Sequence, residues 1–237
     1  MPFTPSKDYY RIERLSWSGF KSYKRRCGLE YKKKYVDKEE VPGFNAYNTV
    51  GGKVIQAVFE NFYNNEIWRR GKDTKAVLDE LLVREYHRIV DEEPVDWSAP
   101  ESKLSKEELL ESLKPYIGST LDLIKAQKFI GRFAKAEVKI QAWFGKVLVH
   151  GIADFIIRRE ASTVILDGKL TRHRNKYLET DQLVWYVMLF YLQHQVLVDK
   201  VGWIYYTYGE VEWVPVTLDD VKRLYKEVQE VLEDIRR

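Results

Sequence analysis

The chain has 237 residues, 45% of them hydrophobic, and a formal net charge of +3, which allows a buried core without structural disulfides or metals. Its single cysteine, Cys27, excludes an internal disulfide and any all-cysteine zinc or iron–sulfur site within one chain. No apolar run approaches the length of a membrane span, and residues 1–10 lack the apolar core of a signal peptide, so we expect a soluble, cytoplasmic protein with no membrane partner.

The first half of the chain is predicted to be helical. Ser16 or Ser18 is expected to cap the first helix, and Ser105 with Glu108 forms a capping box that opens the last helix of this half. The predicted elements are a helix over residues 15–35, a loop over 36–49, a helix over 50–67, a break at 70–73, a helix over 74–90, a loop over 93–103 and a helix over 105–130.

The second half alternates between strands and helices. The predicted elements are strands over 134–144, 146–157 and 163–170, an apolar helix over 179–195, a hairpin of 200–208 and 211–216 around Gly209, and a closing helix capped by Thr217. This order is not a simple βαβ alternation. It predicts an α/β (α+β) fold with a central mixed sheet flanked by helices, a single domain over residues 1–237, and a helical insertion at 70–130.

Two acids and a lysine mark the neighbouring strands 146–157 and 163–170. If the turn between these strands is centred near Glu160 and Ala161, antiparallel pairing sets Asp154 opposite Asp167, with Lys169 on the same face as Asp167. Two carboxylates that close repel each other unless a cation lies between them, and oxygen ligands suit Mg²⁺ or Mn²⁺. The pattern therefore indicates a metal-dependent phosphodiesterase, and the alternative is an ordinary surface salt bridge.

Basic residues are concentrated in two segments. Residues 1–35 carry ten lysines and arginines against three acids, and the second segment, which follows Asp167, contains Lys169, Arg172, Arg174 and Lys176. Such patches are often only solvated surfaces. Beside a metal-carboxylate centre, however, a basic segment is where a polyanion would lie, so we expect the second segment to bind DNA.

These strings occur in an order that resembles the PD-(D/E)XK nuclease superfamily and, within it, the RecB-type branch, which includes RecB and AddB nuclease domains and CRISPR-associated exonucleases. The resemblance spans most of the chain. The matching strings are Leu15 to Ser18 with Tyr23, Cys27 and Tyr31, Gly52 to Gln56, Gly151 to Asp154, Asp167 to Lys169, and Gln182 to Tyr186.

The resemblance implies a restriction-endonuclease-like core and a metal-dependent nuclease that leaves a 5′-phosphate. It implies that Asp154, Asp167 and the Gly168 carbonyl hold the metal, and that Lys169 positions the attacking water. Gln182 and Tyr186, which share one helix face, would contact the DNA strand or brace Lys169. The alternatives are a buried glutamine bonded to backbone and a tyrosine in ordinary core packing.

The sequence departs from the family pattern in two ways. Gln56 stands where the branch usually has a metal-binding histidine; a glutamine carbonyl is a weak Mg²⁺ ligand, so Gln56 is expected within reach of the metal. His150 is a possible substitute, although a core-facing histidine is the simpler interpretation, and Glu137 is either an auxiliary acid or a charge on the solvent face. The further cysteines of iron–sulfur members are absent, so we expect no iron–sulfur cluster and Cys27 as a packing residue.

The expected function is that of a Mg²⁺- or Mn²⁺-dependent DNA exonuclease acting on single strands or duplex ends in recombination, repair or phage DNA metabolism. The chain lacks a G-x-x-x-x-G-K-[ST] string, so we expect a stand-alone nuclease without a helicase motor, and recombination or replication proteins are the expected partners. Two alternatives stay open: a structure-selective or single-strand endonuclease, and a catalytically decayed nucleic-acid-binding module.

Overall fold

The computed structural model describes residues 12–26, 28–39, 47–93, 95, 97, 104–131, 133–159, 162–171, 173–174 and 180–235, without the side chains of residues 25, 26, 47 and 48. Five residues singled out from the sequence lie outside the described residues: Cys27, Arg172, Lys176 and the turn residues Glu160 and Ala161. The centres of the two loops predicted over 36–49 and 93–103 also lie outside them.

The described helices are α1 (Trp17–Lys21), α2 (Gly28–Tyr31), α3 (Tyr47–Asn64), α4 (Thr74–Glu92), α5 (Lys106–Ala126), α6 (Thr180–His194) and α7 (Leu218–Ile235). The strands are β1 (Arg14–Ser16), β2 (Ala134–Phe144), β3 (Val147–Arg159), β4 (Ser162–Lys169), β5 (Lys200–Tyr205) and β6 (Glu210–Val214). Two π-helical turns, Ser22–Arg26 and Lys32–Val36, follow α1 and α2, and a 3₁₀ segment, Ile67–Asp73, precedes α4.

The six strands form one mixed sheet centred on β3. Along one edge β3 pairs with antiparallel β2; along the other it pairs first with parallel β1 and then with antiparallel β4. Strand β4 continues the sheet through parallel β5, which forms a hairpin with β6 around Gly209, whose φ is +59°. The left-handed conformation at this turn is one that glycine adopts without strain.

Each face of the sheet carries its own hydrophobic core. On one face, α3, α4 and α5 pack against residues that include Phe155, Leu166 and Tyr206. On the other, α1, α6 and α7 pack against residues that include Ala153 and Ile165. Every residue from Leu183 to Phe190 of α6 is buried, which explains why that helix is apolar all round. A mixed sheet between two helical layers confirms the predicted fold class.

The main differences from the predicted elements are in the N-terminal segment and at the end of α5. Residues 14–16 form a short strand, and Ser16 ends it and caps α1, so residues 15–35 are not one helix. The helix predicted to reach Ile130 stops at Ala126 because Lys128 adopts φ 55°. The Phe129 N–H then donates to the Ile124 carbonyl at 2.8 Å, which closes the helix end in a Schellman motif.

Within the described residues no helix combines the length and apolar character that a membrane span requires.

Candidate active site at the fork of the sheet

The site lies where β4 separates from β3. Their hydrogen-bonded pairing ends at Phe155 and Leu166, and one further step in the same register sets Asp154 opposite Asp167. Beyond this point the Gly168 N–H, which has no β3 partner in the ladder, donates to Asp154 Oδ2 at 2.7 Å. The strands thus form a fork whose two sides carry one carboxylate each.

Side-chain alternation is interrupted in β2 and β3 at the level of this fork. Ala153 faces the α6 core whereas Phe155, two residues on, faces the α3 core, although an uninterrupted strand would place both on one face. In β2 the same change occurs across Glu137, which has φ 52°. A non-glycine residue in the left-handed region is uncommon, and such residues cluster at functional sites.

Helix α3 supplies a glutamine to the fork. The Gln56 amide donates to Asp154 Oδ1 at 3.0 Å and also to Glu137. Glu137 therefore lies on the site side of β2, half-buried, and the interpretation of it as a solvent-face charge is wrong. Gln56 links the two acids as a neutral donor and adds no charge.

Helix α6 supplies two neutral groups to the other carboxylate. Gln182 Nε2 donates to Asp167 Oδ1 at 3.0 Å and to the Tyr186 hydroxyl at 2.9 Å. The Tyr186 hydroxyl in turn lies 3.4 Å from Asp167 Oδ1. These contacts fix one oxygen of Asp167, a side chain that is only 2% exposed.

Lys169 forms an ion pair with the other oxygen of Asp167. This oxygen, Oδ2, accepts no well-aligned hydrogen bond among the described residues. The lysine ammonium also lies 4.9 Å from the centre of the Trp203 ring, and its side chain is 31% exposed, so it extends from a buried base to solvent.

Burial disfavours ionisation of both aspartates, and like charge adds to this effect at Asp154. Burial, followed by the charge of Asp167, raises the pKa of Asp154 well above its usual value, against the opposing effects of the Gly168 N–H and Lys169. Burial also raises the pKa of Asp167 despite its ion pair with Lys169. Burial raises the pKa of Glu137 too, with the Gln56 hydrogen bond acting in the opposite direction.

The donor set at the fork suits a divalent cation. Three acids face one lysine, so the ion pair of Asp167 Oδ2 with Lys169 leaves an excess of negative charge at the fork. In the part of the chain that the structure describes, no three His, Cys, Asp or Glu side chains form a complete metal cage. Mg²⁺ is commonly held by one or two carboxylates with water and substrate filling the remaining positions, so Asp154 and Asp167 meet that requirement.

Tyr206 lies beneath the fork and was not identified from the sequence. Its side chain is 2% exposed, stacks at 6.2 Å on Phe59 of α3, and has a hydroxyl without a hydrogen-bond partner among the described residues. A Cβ added at Gly168 would lie 2.0 Å from this hydroxyl. The glycine between Asp167 and Lys169 is therefore required by packing, in addition to any role of its carbonyl.

The structure does not bring every predicted site residue to the fork. Arg174 forms an ion pair with Glu210 and lies 4.3 Å from the Tyr208 ring centre, on the β5–β6 side of the sheet. His150 is four strand residues from Asp154, about 13 Å along β3, which is too far for both to bind one cation. Its backbone carbonyl accepts from Trp185 of α6 at 3.2 Å.

Comparison with known proteins identifies the family to which this chain belongs. The sequence profile of the PD-(D/E)XK nuclease superfamily matches residues 14–237. A solved structure from Eubacterium rectale, named "Putative exonuclease", is similar with a TM-score of 0.56 at 12% identity, covering 99% of this chain and 85% of that one. At this identity the likeness concerns the fold alone.

Two further solved structures are less similar. SSO0001 has a TM-score of 0.33 at 14% identity, covering 88% of this chain and 83% of its own, and VC1899 from Vibrio cholerae has 0.30 at 11%, covering 82% and 56%. Likenesses at these scores support no conclusion. No curated protein matches the sequence.

Gly168→Ala tests the packing beneath the fork. We expect it to lower the free energy of unfolding by about 1–3 kcal/mol because the new methyl group overlaps Tyr206. The matched control is Gly52→Ala on α3, where a Cβ meets nothing closer than 3.8 Å and helix propensity improves. Urea denaturation monitored by circular dichroism measures both, and equal stability of Gly168→Ala and the wild type would contradict the geometry.

Asp154→Asn tests the repulsion at the fork. Because the folded-state pKa of Asp154 is raised, its stabilising contribution is present when it is protonated and is lost as the pH rises through that pKa. In EDTA at pH 7 the variant should therefore melt above the wild type, by about 2–4 °C for each kcal/mol relieved, and the difference should shrink as the pH falls. Thermal denaturation measures this, with the exposed Asp122→Asn as control. A difference in melting temperature between Asp154→Asn and the wild type that stays the same as the pH falls would exclude net repulsion.

Proposed function

Because the chain belongs to the PD-(D/E)XK nuclease superfamily, we propose that it is a divalent-metal-dependent deoxyribonuclease of the RecB-type branch that acts as an exonuclease. The observation that carries this proposal is the convergence of Asp154, Asp167 and Lys169 at the fork, with Gln182 and Tyr186 bonded to Asp167. The Gln182–Tyr186 pair is the helix motif that the branch resemblance depends on. The contact of this pair with Asp167 supports the proposed assignment of the chain to the RecB-type branch.

Asp154, Asp167, the Gly168 carbonyl and Gln56 would hold Mg²⁺ or Mn²⁺. The N–H and C=O of one strand residue point to the same edge, so the Gly168 carbonyl lies on the side where its N–H meets Asp154. The Gln56 amide would have to rotate to present its oxygen. When bound, the metal supplies Lewis acidity and a water with a lowered pKa.

The protein side chains perform the remaining tasks. Gln182 and Tyr186 hold Asp167 Oδ1 in place. This fixes the orientation of the carboxylate, so Oδ2 and the Lys169 ammonium that pairs with it are also held in place. Lys169 carries its positive charge at the mouth of the fork, where it orients the attacking water and offsets the charge that develops on the phosphate. Asp154, held by the Gly168 N–H, keeps the second carboxylate opposite the first.

The wider biological setting is proposed on the same basis. We place the enzyme in the cytoplasm of a bacterium, an archaeon or a phage-infected host, in recombination, repair or phage DNA metabolism, working with recombination or replication proteins. Its substrate would be single-stranded DNA or duplex ends. We propose that residues 1–237 act as one nuclease domain in which residues 70–130 are a helical insertion.

Separate measurements of metal binding and cleavage test this proposal. Asp154→Ala and Asp167→Ala should each weaken Mn²⁺ binding by at least about tenfold and abolish cleavage together with it. Lys169→Ala should bind Mn²⁺ normally but lower kcat by roughly 10²–10³-fold, since its role is electrostatic. Isothermal titration reports the binding, and release of nucleotides from labelled linear DNA reports the cleavage.

Circular DNA and a control variant complete this experiment. An exonuclease degrades linear but not circular DNA, so cleavage of both forms would replace the exonuclease proposal with an endonuclease. Asp122→Ala, on the exposed side of α5, should behave like the wild type. Wild-type cleavage by folded Asp154→Ala and Asp167→Ala proteins would eliminate the proposed mechanism.

Gln56→His tests whether the α3 position reaches the metal. Because Gln56 already contacts Asp154, a histidine there should keep or raise activity and favour Mn²⁺ over Mg²⁺, since imidazole nitrogen prefers transition metals to Mg²⁺. The ratio of kcat/KM in the two metals measures the effect, with Gln193→His on α6 as control. An unchanged ratio would place residue 56 outside the metal's reach.

A further inference from the structure

A pocket of about 290 Å³ adjoins the fork on the α6 side. Its wall is formed by the helical turns between α1 and residue 35 and by Gln182, the residue that donates to Asp167 Oδ1 at 3.0 Å. One side chain therefore borders both the pocket and the carboxylate pair.

The chemistry of the pocket suits a phosphate. Lys21 and Lys34 contribute ammonium groups against one acid, Glu30, so the charged lining has a net charge of +1. Ser22 is only 5% exposed, and its hydroxyl has no hydrogen-bond partner among the described residues. A buried hydroxyl without a partner is destabilising, so a ligand or water that accepts from it would recover that loss.

An aromatic ring stands beside these groups. Tyr35 lines the pocket while its ring stacks on Tyr31 with the centres 5.2 Å apart, and the Lys34 ammonium lies 5.6 Å from the Tyr35 ring centre. Ring faces next to cationic groups are a common arrangement in proteins that bind single strands, where the ring stacks on a base and the cation meets the backbone. The pocket thus contains ammonium groups that suit the phosphate of a nucleotide and an aromatic ring that suits its sugar or base.

We propose, relying on the nuclease function proposed above, that this pocket is a subsite for the nucleotide next to the scissile phosphate of a single DNA strand. Lys21 and Lys34 bind its phosphate and Ser22 donates to a phosphate oxygen. Tyr35 supports the sugar or base. The subsite fixes the position of the strand at the fork and takes no part in the bond-breaking step.

Two paired variants test the proposal. Lys21→Gln/Lys34→Gln removes both positive charges of the pocket, and Lys135→Gln/Lys139→Gln removes two charges from exposed positions of β2 as the control. The first readout is the affinity for a fluorescently labelled single-stranded oligonucleotide in EDTA at several salt concentrations. Loss of the contacts to one phosphate should reduce the slope of log K against log[salt] by about 0.7, and the control should keep the wild-type slope.

Steady-state kinetics with Mn²⁺ provide the second readout. The pocket variant should raise KM several-fold with kcat and Mn²⁺ affinity unchanged, which a general loss of folding would not produce. Ser22→Ala should also raise KM while its melting temperature stays the same or increases. This last result separates a binding hydroxyl from a structural one.

The outcomes distinguish failure of the subsite from failure of the nuclease. A pocket variant with the wild-type salt slope and KM, in an enzyme that cleaves DNA, would overturn the subsite and leave the function standing. Absence of any cleavage by the wild type would overturn the function, whereas the metal-free binding data would still test the pocket. Binding of free mononucleotides but not of strands at this pocket would also overturn the proposal.

Discussion

The enforced proximity of two buried carboxylates is the constraint on which the rest of this structure depends. Asp154 and Asp167 lie at facing positions one residue beyond the paired part of β3 and β4, and burial raises the pKa of both. Their ionised forms repel each other in the absence of a cation. The fold tolerates this repulsion because the two strands are fixed by cores on both faces of the sheet.

Most of the hydrogen-bond donors around the pair are neutral. Gln56, Gln182, Tyr186 and the Gly168 N–H all contact the carboxylates as neutral donors. They hold the oxygens in place without cancelling the charge, whereas additional arginines or lysines would have formed closed ion pairs. Among the described residues, Lys169 is the only cationic side chain at the fork, and it is partly exposed. This balance is appropriate for a site that must attract a metal and then a phosphate.

Much of this arrangement could be predicted from the sequence because it is local. Alternating apolar residues identified β3 and β4, and the short connection between them determined the register that sets Asp154 opposite Asp167. Glu137 was different: strict alternation in β2 assigns it to solvent with Lys135 and Lys139, and only its left-handed backbone turns it toward Gln56. Nothing in the sequence signals a left-handed glutamate. Tyr206 was missed because its proximity to Gly168 arises from the pairing of strands that are distant in sequence. Strand β1 was missed because three residues are too few to show a periodic pattern.

The central claim is that a divalent cation binds between Asp154 and Asp167, and crystals grown with Mn²⁺ test it most directly. The anomalous scattering of manganese locates the ion independently of any assumption about the site. We predict a peak within about 2.0–2.3 Å of an oxygen of each aspartate, close to the Gly168 carbonyl. A well-occupied manganese site elsewhere on the protein, with no peak at the fork at saturating Mn²⁺, would contradict the account.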